Sequence, residues 1–309
     1  MDGDFFAQTA MEGPIPMRGG ERRSRFSYIR VDSMIFYRQY QPGGRLSDLI
    51  ECYWVYRSSG AMVREERLIP GGRVEMIFHL DTSYHWLIHP DAPRGDLISR
   101  VHFMGQRDRI YFGRPSGHSI NMLGVRFKPG GLAAFTSMPI SELLNRMIPA
   151  EDILGAGIKE WEHRLSELAD DKTRILLLEE LLTGAIRDQR AGSGILPAAL
   201  VIIRDHPDET SIQTICQQTG WYYKKLERAF KTSVGYTPKQ YCRIIRFNKA
   251  IRQMGPDKKV SLTKIGYACG YFDQSHFIKD FYRYAGTAPG KWEPENYSIA
   301  DFLIRYQPV

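Results

Sequence analysis

The sequence predicts an α+β N-terminal domain, mainly antiparallel sheet with added helices, followed by an all-α domain of two helix-turn-helix units. Three observations support this fold class. Short segments rich in β-branched and aromatic residues, separated by Gly, Pro, Asp and Ser, fill much of the first half of the chain. Leu and Ile recur at helical spacing from about residue 131 onwards. A pattern of about 30 residues then occurs twice near the C-terminus.

The strand signal lies in six segments of the first half. They are residues 34–40, 49–57, 73–80, 84–89, 109–113 and 120–127. Helices are predicted for residues 139–148, 159–168, 172–188 and 196–206. The polar, Gly-containing run at residues 189–194 predicts a linker between the two domains.

Four regions follow from these signals. Residues 1–33 are rich in Gly, Pro, Met and Arg without a sustained period, so they are predicted to be a disordered tail. Residues 34–190 form the first domain and residues 195–293 the second, with residues 294–309 as a C-terminal tail.

Composition limits the class of protein. The chain has 309 residues and 43% hydrophobic content, which is ordinary for a globular protein of two domains. No apolar run reaches the ~18 residues of a membrane span and no signal peptide is visible, so a cytoplasmic location without membrane contact is expected. No nucleophile–base motif or glycine-rich phosphate loop occurs, which predicts a protein without catalytic residues or a cofactor.

Positive charge is concentrated in the second domain. Residues 196–293 hold 16 of the 42 Lys and Arg residues but only 8 of the 35 Asp and Glu residues. This segment therefore carries a net charge of +8, while the rest of the chain carries −1. A basic surface is what double-stranded DNA requires, because neutralised phosphates release counterions. The alternative is a solvated basic face without a partner.

The repeated pattern predicts a helix, a tight turn and a second helix in each copy. Ser211, Ile212, Ile215 and Gly220 correspond to Ser261, Leu262, Ile265 and Gly270, displaced by 50 residues. Leu226, Phe230, Gly235 and Pro238 correspond to Phe277, Phe281, Gly286 and Pro289, displaced by 51 residues. Two such units on one chain can occupy successive major grooves, about 34 Å apart.

The free face of each second helix is predicted to enter a major groove. In the first unit the candidates are Tyr223, Lys224, Glu227, Arg228 and Lys231. In the second unit they are Gln274, Ser275 and Lys279, with Ile278 and Tyr282 on the same face. Arg side chains match guanine and Gln side chains match adenine in that groove. Lys239 and Arg243, on the connecting helix, are candidates for phosphate anchors or plain surface charges, and His276 for a packing residue.

The same residues resemble a known family. The run GYFDQSHFIKDFYRYAGTAPGKW at residues 270–292 is similar to the signature of AraC/XylS transcription regulators of bacteria. The run LERAFKTSVGYTPKQY at residues 226–241, followed by RIIRFNKAI, is similar to the first unit and connecting helix of that family. Tyr222 departs from the pattern, since the family often has a Ser cap there.

The first domain resembles a domain of poorly defined function found in one group of these regulators. The residues that carry this are VEMIFHL at 74–80, HFMG at 102–105 and GVRFKPGG at 124–131. The resemblance implies a sensing or dimerising role on a cupin-like half-barrel. It also implies double-stranded DNA, a small-molecule effector, RNA polymerase and a second copy of the chain as partners.

Two other functions stay open. One is a constitutive architectural DNA binder whose first domain only dimerises. The other is an enzyme fused to a DNA-binding module, which needs a reactive cysteine. Cys52, in the run ECYW, has neither basic nor metal-ligating neighbours, and the other cysteines have no metal-ligand spacing.

Two clusters of the first domain invite a ligand interpretation. The aromatic residues Tyr53, Trp54, Phe78, Trp86 and Phe103 fit either an apolar pocket or, more simply, a core. The histidines His79, His85, His89, His102 and His118 lack the spacing of a metal site, so packed or exposed histidines are expected.

Overall fold

The computed structural model describes residues 26–31, 35–59, 66–81, 85–88, 96–97, 99–115, 119–187, 195–206, 211–254 and 261–292. They form a sheet-rich N-terminal domain with helices and an all-α C-terminal domain, which confirms the predicted fold class. The predicted linker at residues 189–194 and the predicted tail at residues 294–309 lie outside the described residues.

Eleven strands of the described residues build two antiparallel sheets. They are β1 (Phe26–Val31), β2 (Ile35–Tyr40), β3 (Ile50–Ser59), β4 (Glu66–Leu68), β5 (Glu75–His79), β6 (His85–Ile88), β7 (Asp96–Leu97), β8 (Val101–Met104), β9 (Tyr111–Pro115), β10 (Ser119–Phe127) and β11 (Met147–Pro149). The larger sheet has the order β1-β2-β3-β10-β5-β8-β11 and the smaller has the order β4-β9-β6-β7. Long β3 and β10 pair at the centre of the larger sheet.

Ten α-helices surround or follow these sheets in the described residues. They are α1 (Leu46–Leu49), α2 (Ala150–Leu154), α3 (Ile158–Glu167), α4 (Asp171–Ala185), α5 (Ile195–Asp205), α6 (Ile212–Thr219), α7 (Tyr223–Ser233), α8 (Pro238–Gln253), α9 (Leu262–Ala268) and α10 (Gln274–Ala285). The first four belong to the N-terminal domain. Helices α5 to α10 make up the C-terminal domain.

Two segments contradict the sequence prediction, and the short elements α1, α2, β4, β7 and β8 were not predicted. Phe26–Val31, inside the predicted tail, forms β1 and pairs along its whole length with β2, because its Phe, Tyr, Ile and Val residues favour strand. The predicted helix at residues 139–148 is instead a short 3-10 turn at Ile140–Leu143 followed by β11. Asn145 lies between them with a φ of 59°, a left-handed conformation that ends helical geometry.

The central strand β3 sends its side chains alternately to two apolar clusters. Tyr53 and Val55 join the main core together with Phe78 and Phe103, whereas Trp54 joins a smaller cluster with Tyr37 on the other face. Of the two interpretations of these aromatic residues, a pocket or a core, the structure favours the core. Four of the five residues are buried core on two faces of one sheet, and the Trp86 side chain lies outside the description.

Trp54 packs directly on the backbone of β10. Its partner across the strand pair is Gly124, and a methyl group on Gly124 would lie 2.0 Å from Trp54 Cε2. The indole ring fills the space that any larger residue at position 124 would need. Gly124 is thus required by close approach in the centre of the larger sheet.

Replacing Gly124 with Ala should lower the free energy of unfolding by about 1–3 kcal/mol, because the core must shift to relieve the overlap. Gly184→Ala is the matched control. Gly184 lies at an exposed position of α4 with no heavy atom within 4 Å of a new methyl group. The control should raise stability by about 0.5–1 kcal/mol, as measured by urea unfolding. Equal stability of the two variants would contradict the packing assignment.

Candidate nucleic-acid interface

The first helix-turn-helix unit consists of α6 and α7. The hydroxyl oxygen of Ser211 accepts a hydrogen bond from the backbone N–H of Thr214 at 3.0 Å, which caps α6 as predicted. Gly220 ends α6 with a φ of 69°, a left-handed conformation. Tyr222 stands at the cap of α7 without a side-chain capping bond. Leu226 and Phe230 form the buried stripe of α7.

The second unit consists of α9 and α10. Asp273 caps α10 by accepting a hydrogen bond from the backbone N–H of His276 at 2.7 Å, as predicted. Phe277, Phe281 and Tyr284 are buried, also as predicted. Ser261 occupies the cap position of α9, but its side chain makes no capping hydrogen bond, so that part of the prediction is wrong.

The two units share one apolar core through α8. Phe247 of α8 contacts the rings of Phe281 and Tyr284, with ring centroids 5.5 and 5.1 Å apart. Tyr241, nearer the start of α8, packs on Phe230 of the first unit at 5.8 Å. All five side chains belong to one cluster of buried residues. The recognition helices α7 and α10 are therefore both fixed to the same connecting helix.

A buried ion pair adds a polar link to this core. Asp280 of α10 is fully buried, and both of its carboxylate oxygens accept hydrogen bonds from the Arg243 guanidinium of α8. The bond from Arg243 Nε measures 3.1 Å. The charge of Arg243 is thus already paired inside the domain, and its geometry favours a structural role over the predicted phosphate contact.

The predicted base-reading residues of α7 lie on its surface. Tyr223, Lys224, Arg228 and Lys231 are exposed, and Glu227 is half-buried. Lys231 Nζ lies 3.0 Å from Glu227 Oε1, one helical turn away. A surface pair at this spacing contributes only about 0.3–0.5 kcal/mol, so either side chain can exchange it for a contact with DNA.

The predicted residues of α10 are equally accessible. Gln274, Ser275 and Lys279 are exposed, as are their neighbours Ile278 and Tyr282. Lys239 is exposed at the start of α8. The structure places all these side chains at the surface but holds no nucleic acid against which their roles can be judged, so base and phosphate contacts stay predictions.

His276 has packing partners within its own unit. Its ring meets that of Tyr271 edge-on at 5.3 Å, and its Nε2 lies 3.6 Å from Asp280 Oδ2. This arrangement is that of the packing histidine expected from the sequence.

The N-terminal domain contacts both units through residues 106–110, which follow β8 and which we call the strap. Gln106 Nε2 donates to the carbonyl of Val234, at the end of α7. The Tyr236 hydroxyl donates to the carbonyl of Arg107 at 2.6 Å. Farther along, the Arg283 guanidinium of α10 donates to the Asp108 carboxylate at 2.8 Å. One short segment thus holds the C-terminal ends of both recognition helices.

The strap is itself held in place from within the N-terminal domain. Asn145 Nδ2 donates to Asp108 Oδ1 at 2.9 Å, and the Asp108 backbone N–H donates back to Asn145 Oδ1 at 3.0 Å. Burial by itself would raise the pKa of Asp108. Hydrogen bonds from Asn145 and Arg109 and the charges of Arg109 and Arg283 outweigh it and lower that pKa below its ordinary value. The carboxylate therefore stays ionised near neutral pH and keeps its attraction for Arg283.

A second contact joins the domains beside the strap. Asn248 Nδ2 donates to the carbonyl of Gly71 at 3.2 Å, and Ile69 is buried in the core of the C-terminal domain. Gly72 lies against Tyr241, Ile244 and Ile245 of α8. Residues 69–72 are therefore a docking segment for α8.

The cysteines of the described residues do not have the character of a reactive site. All four are free, and three are buried. Burial raises the pKa of the Cys52 thiol to about 12 and that of Cys242 to about 11, so both thiols stay protonated at neutral pH. A protonated thiol is a poor nucleophile.

Within the described part of the chain, the features of a metal site and of a membrane-spanning helix are both absent. There, no group of three or more His, Cys, Asp or Glu side chains is arranged to hold a metal ion. His79 and His102 stack with ring centroids 5.3 Å apart and are both buried. No helix among those residues combines the length and the apolar character needed to cross a membrane.

Sequence reasoning missed three residues of this region. Phe272, directly before the Asp273 cap, is 88% exposed and projects beside the start of α10. The repeat gave no signal for this exposure, because the second unit has one extra residue between Gly270 and Asp273 and its Tyr271, like Trp221 of the first unit, packs in the core. Asp280 and Arg283 were not singled out either, since their partners lie 37 and 175 residues away.

Removing the guanidinium of Arg243 should lower the free energy of unfolding by about 3 kcal/mol, because Asp280 is left as a buried charge without its partner. Arg243→Met combined with Asp280→Leu should recover much of this loss, since an apolar pair of similar volume needs no compensation. Urea unfolding of the variants measures both effects. A loss below about 0.5 kcal/mol in Arg243→Ala, the size of a surface pair, would contradict a structural role for this ion pair.

Comparison with protein families finds two matches. A model of a helix-turn-helix domain matches residues 215–294, and a domain of unknown function, DUF6597, matches residues 38–149. The first contains both recognition helices. The second lies within the sheet-rich domain, in agreement with the predicted resemblance to a domain of poorly defined function.

Individual relatives are transcription regulators by name. The activator RhaS of Escherichia coli O1:K1 is 32% identical over 136 residues, which cover 42% of this chain and 49% of RhaS. The regulator ArgR of Pseudomonas aeruginosa is 26% identical over 152 residues, which cover 47% of this chain and 46% of ArgR. The chain thus spans about half the length of these two relatives.

Among solved structures, ToxT of Vibrio cholerae aligns with a TM-score of 0.44 and 13% identity over 77% of this chain and 96% of ToxT. The family assignment depends on the sequence matches, which agree with the repeated motif, its caps and its turns. The C-terminal part of the chain, residues 215–294, belongs to the helix-turn-helix domains of the AraC/XylS type.

Proposed function

We propose that the protein is a sequence-specific DNA-binding transcription regulator that uses both helix-turn-helix units. The observation that carries this is that both recognition helices are anchored in the core and accessible at the surface. Each is anchored by a buried stripe to a core shared through α8, and each keeps its predicted base-reading side chains exposed. The net charge of +8 on residues 196–293 supplies attraction for phosphates.

Contact with the N-terminal domain does not cover this surface. The strap meets α7 and α10 at their C-terminal ends, at Val234 and Arg283. In helix-turn-helix proteins the N-terminal residues of the recognition helix contact the base edges. Both helices therefore present their N-terminal ends with the N-terminal domain attached, in support of DNA binding by the full chain.

We further propose that a small-molecule effector acts through the N-terminal domain. The support is the pair of contacts between the domains, the strap and residues 69–72, which reach both recognition helices and α8. An effector changes DNA affinity only if it favours one arrangement of these contacts over another. Contact with RNA polymerase and pairing with a second copy are part of the same proposal, as the resemblance of the sequence to the AraC/XylS family implies.

Full-length protein should select a DNA sequence from a randomised pool, and Arg228→Ala and Gln274→Ala should each relax base preference at one position. Loss of one bidentate base contact reduces discrimination by about 1–3 kcal/mol. Fluorescence anisotropy on the selected site and its single-base variants measures this. Lys239→Ala is the control, since loss of a phosphate contact weakens all sequences alike and flattens the salt slope by about one. Unchanged base preference in both test variants would contradict the assigned recognition helices.

A compound that raises the thermal unfolding temperature of the full chain should also change its DNA affinity. In Arg283→Ala the thermal response should remain while the change in affinity shrinks, because the link from Asp108 to α10 is lost. Thermal-shift screening of metabolites followed by anisotropy tests this. Lys159→Ala, an exposed lysine of α3 distant in sequence from the strap, is the control. If compounds bind without altering DNA affinity, the constitutive alternative, with a purely dimerising N-terminal domain, is favoured.

A further inference from the structure

The two recognition helices carry different chemistry at equivalent positions of the repeat. With the displacement of 51 residues, Lys224 corresponds to Ser275, Glu227 to Ile278 and Lys231 to Tyr282. Each of these three charged residues of α7 is replaced in α10 by an uncharged one, whereas Arg228 corresponds to the charged Lys279. The internal repeat makes this comparison direct, because both helices have the same cap position and the same buried stripe.

The uncharged residues at these positions of α10, together with Phe272 just before the helix, are exposed rather than packed. Phe272 is 88% exposed, Tyr282 is 62% exposed and Ile278 is 39% exposed. The neighbouring Tyr271 fills the core position and is buried, which leaves Phe272 at the surface. Three large side chains that stay in water lose the favourable free energy that burial of their apolar surface would provide.

These side chains lie among predicted base-reading groups. Phe272 precedes the Asp273 cap, and Ile278 is one turn beyond Gln274 on the same helical face. Lys279 adds a positive charge next to Ile278 for the phosphate backbone. In the major groove the apolar group offered by DNA is the 5-methyl group of thymine, which Phe and other apolar side chains contact.

We infer that the second unit recognises thymine by contact of Ile278 and Phe272 with 5-methyl groups, while the first unit reads its half-site through charged side chains. This inference rests on the proposed function and adds to it the base, thymine, that the second unit recognises in its half-site. DNA is the occupant of this apolar face, because the face lies on α10 and the equivalent helix of the first unit, α7, is basic. The binding site is accordingly asymmetric in chemistry as well as in sequence.

The test replaces thymine by uracil, which removes the methyl group and keeps every hydrogen-bonding group. A sequence is first selected from a randomised pool with the full-length protein. Each thymidine of the selected site is then replaced singly by deoxyuridine, and affinity is measured by anisotropy. One or two replacements in the half-site of the second unit should weaken binding about fourfold, the factor for burial of one methyl group. Replacements in the other half-site should change affinity by less than about 1.5-fold, well below that methyl effect.

Variants assign the contact to its side chain. In Ile278→Ala or Phe272→Ala, the deoxyuridine effect at one position should vanish, while the selected site is still bound. Ile278→Val should keep most of the effect. Leu176→Ala, which changes an exposed apolar residue of α4, should keep all of it.

Three results overturn the inference. Methyl contact by these residues is excluded if deoxyuridine changes DNA affinity at no position, or if its effect on affinity persists in both alanine variants. Either result leaves the proposed function intact. Unchanged DNA binding with lost transcription in Phe272→Ala assigns the face to a protein partner. Failure to select any sequence rejects the proposed function, and the inference falls with it.

Discussion

The arrangement of the C-terminal domain depends on the ion pair between Arg243 and Asp280. The aromatic contacts of Phe247 with Phe281 and Tyr284 supply apolar burial, but apolar contacts are non-directional. A guanidinium that donates to both oxygens of one carboxylate is directional, and the full burial of Asp280 makes any other arrangement costly. The pair therefore sets the register of α10 against α8. Through α8 it also sets the second unit against the first.

Much of the C-terminal domain could be predicted because its signals are local. A cap, an apolar stripe at helical spacing and a turn glycine are all contained within about ten residues, and the repeat contains these signals twice. Asp273, Gly220 and Phe281 were found in this way and occupy the expected positions. Ser261 shows the limit, since its residue type fits a cap but its side chain makes no capping bond.

Contacts between distant segments could not be predicted from one sequence. Nothing near Arg243 indicates that its partner is Asp280, so a basic residue on a helix next to a DNA-binding motif was assigned to phosphate. The strap is a similar case, because Asp108 and Arg283 are brought together only when the sheet and the helical domain pack. In the N-terminal domain, strands were found by composition. The alternation that places Tyr53 and Trp54 in different clusters became visible only with the sheet register.

The position of the strap has a mechanical consequence. It holds α10 near its C-terminal end, through Arg283, whereas Gln274 and Ser275 at the opposite end of the helix are exposed. A helix of 12 residues is about 18 Å long, so a tilt of about 10° at the strap displaces the free end by about 3 Å. That distance is close to the rise of about 3.4 Å between neighbouring base pairs. A small rotation at residues 106–110 would therefore move the N-terminal end of the helix along the duplex by about the spacing of one base pair.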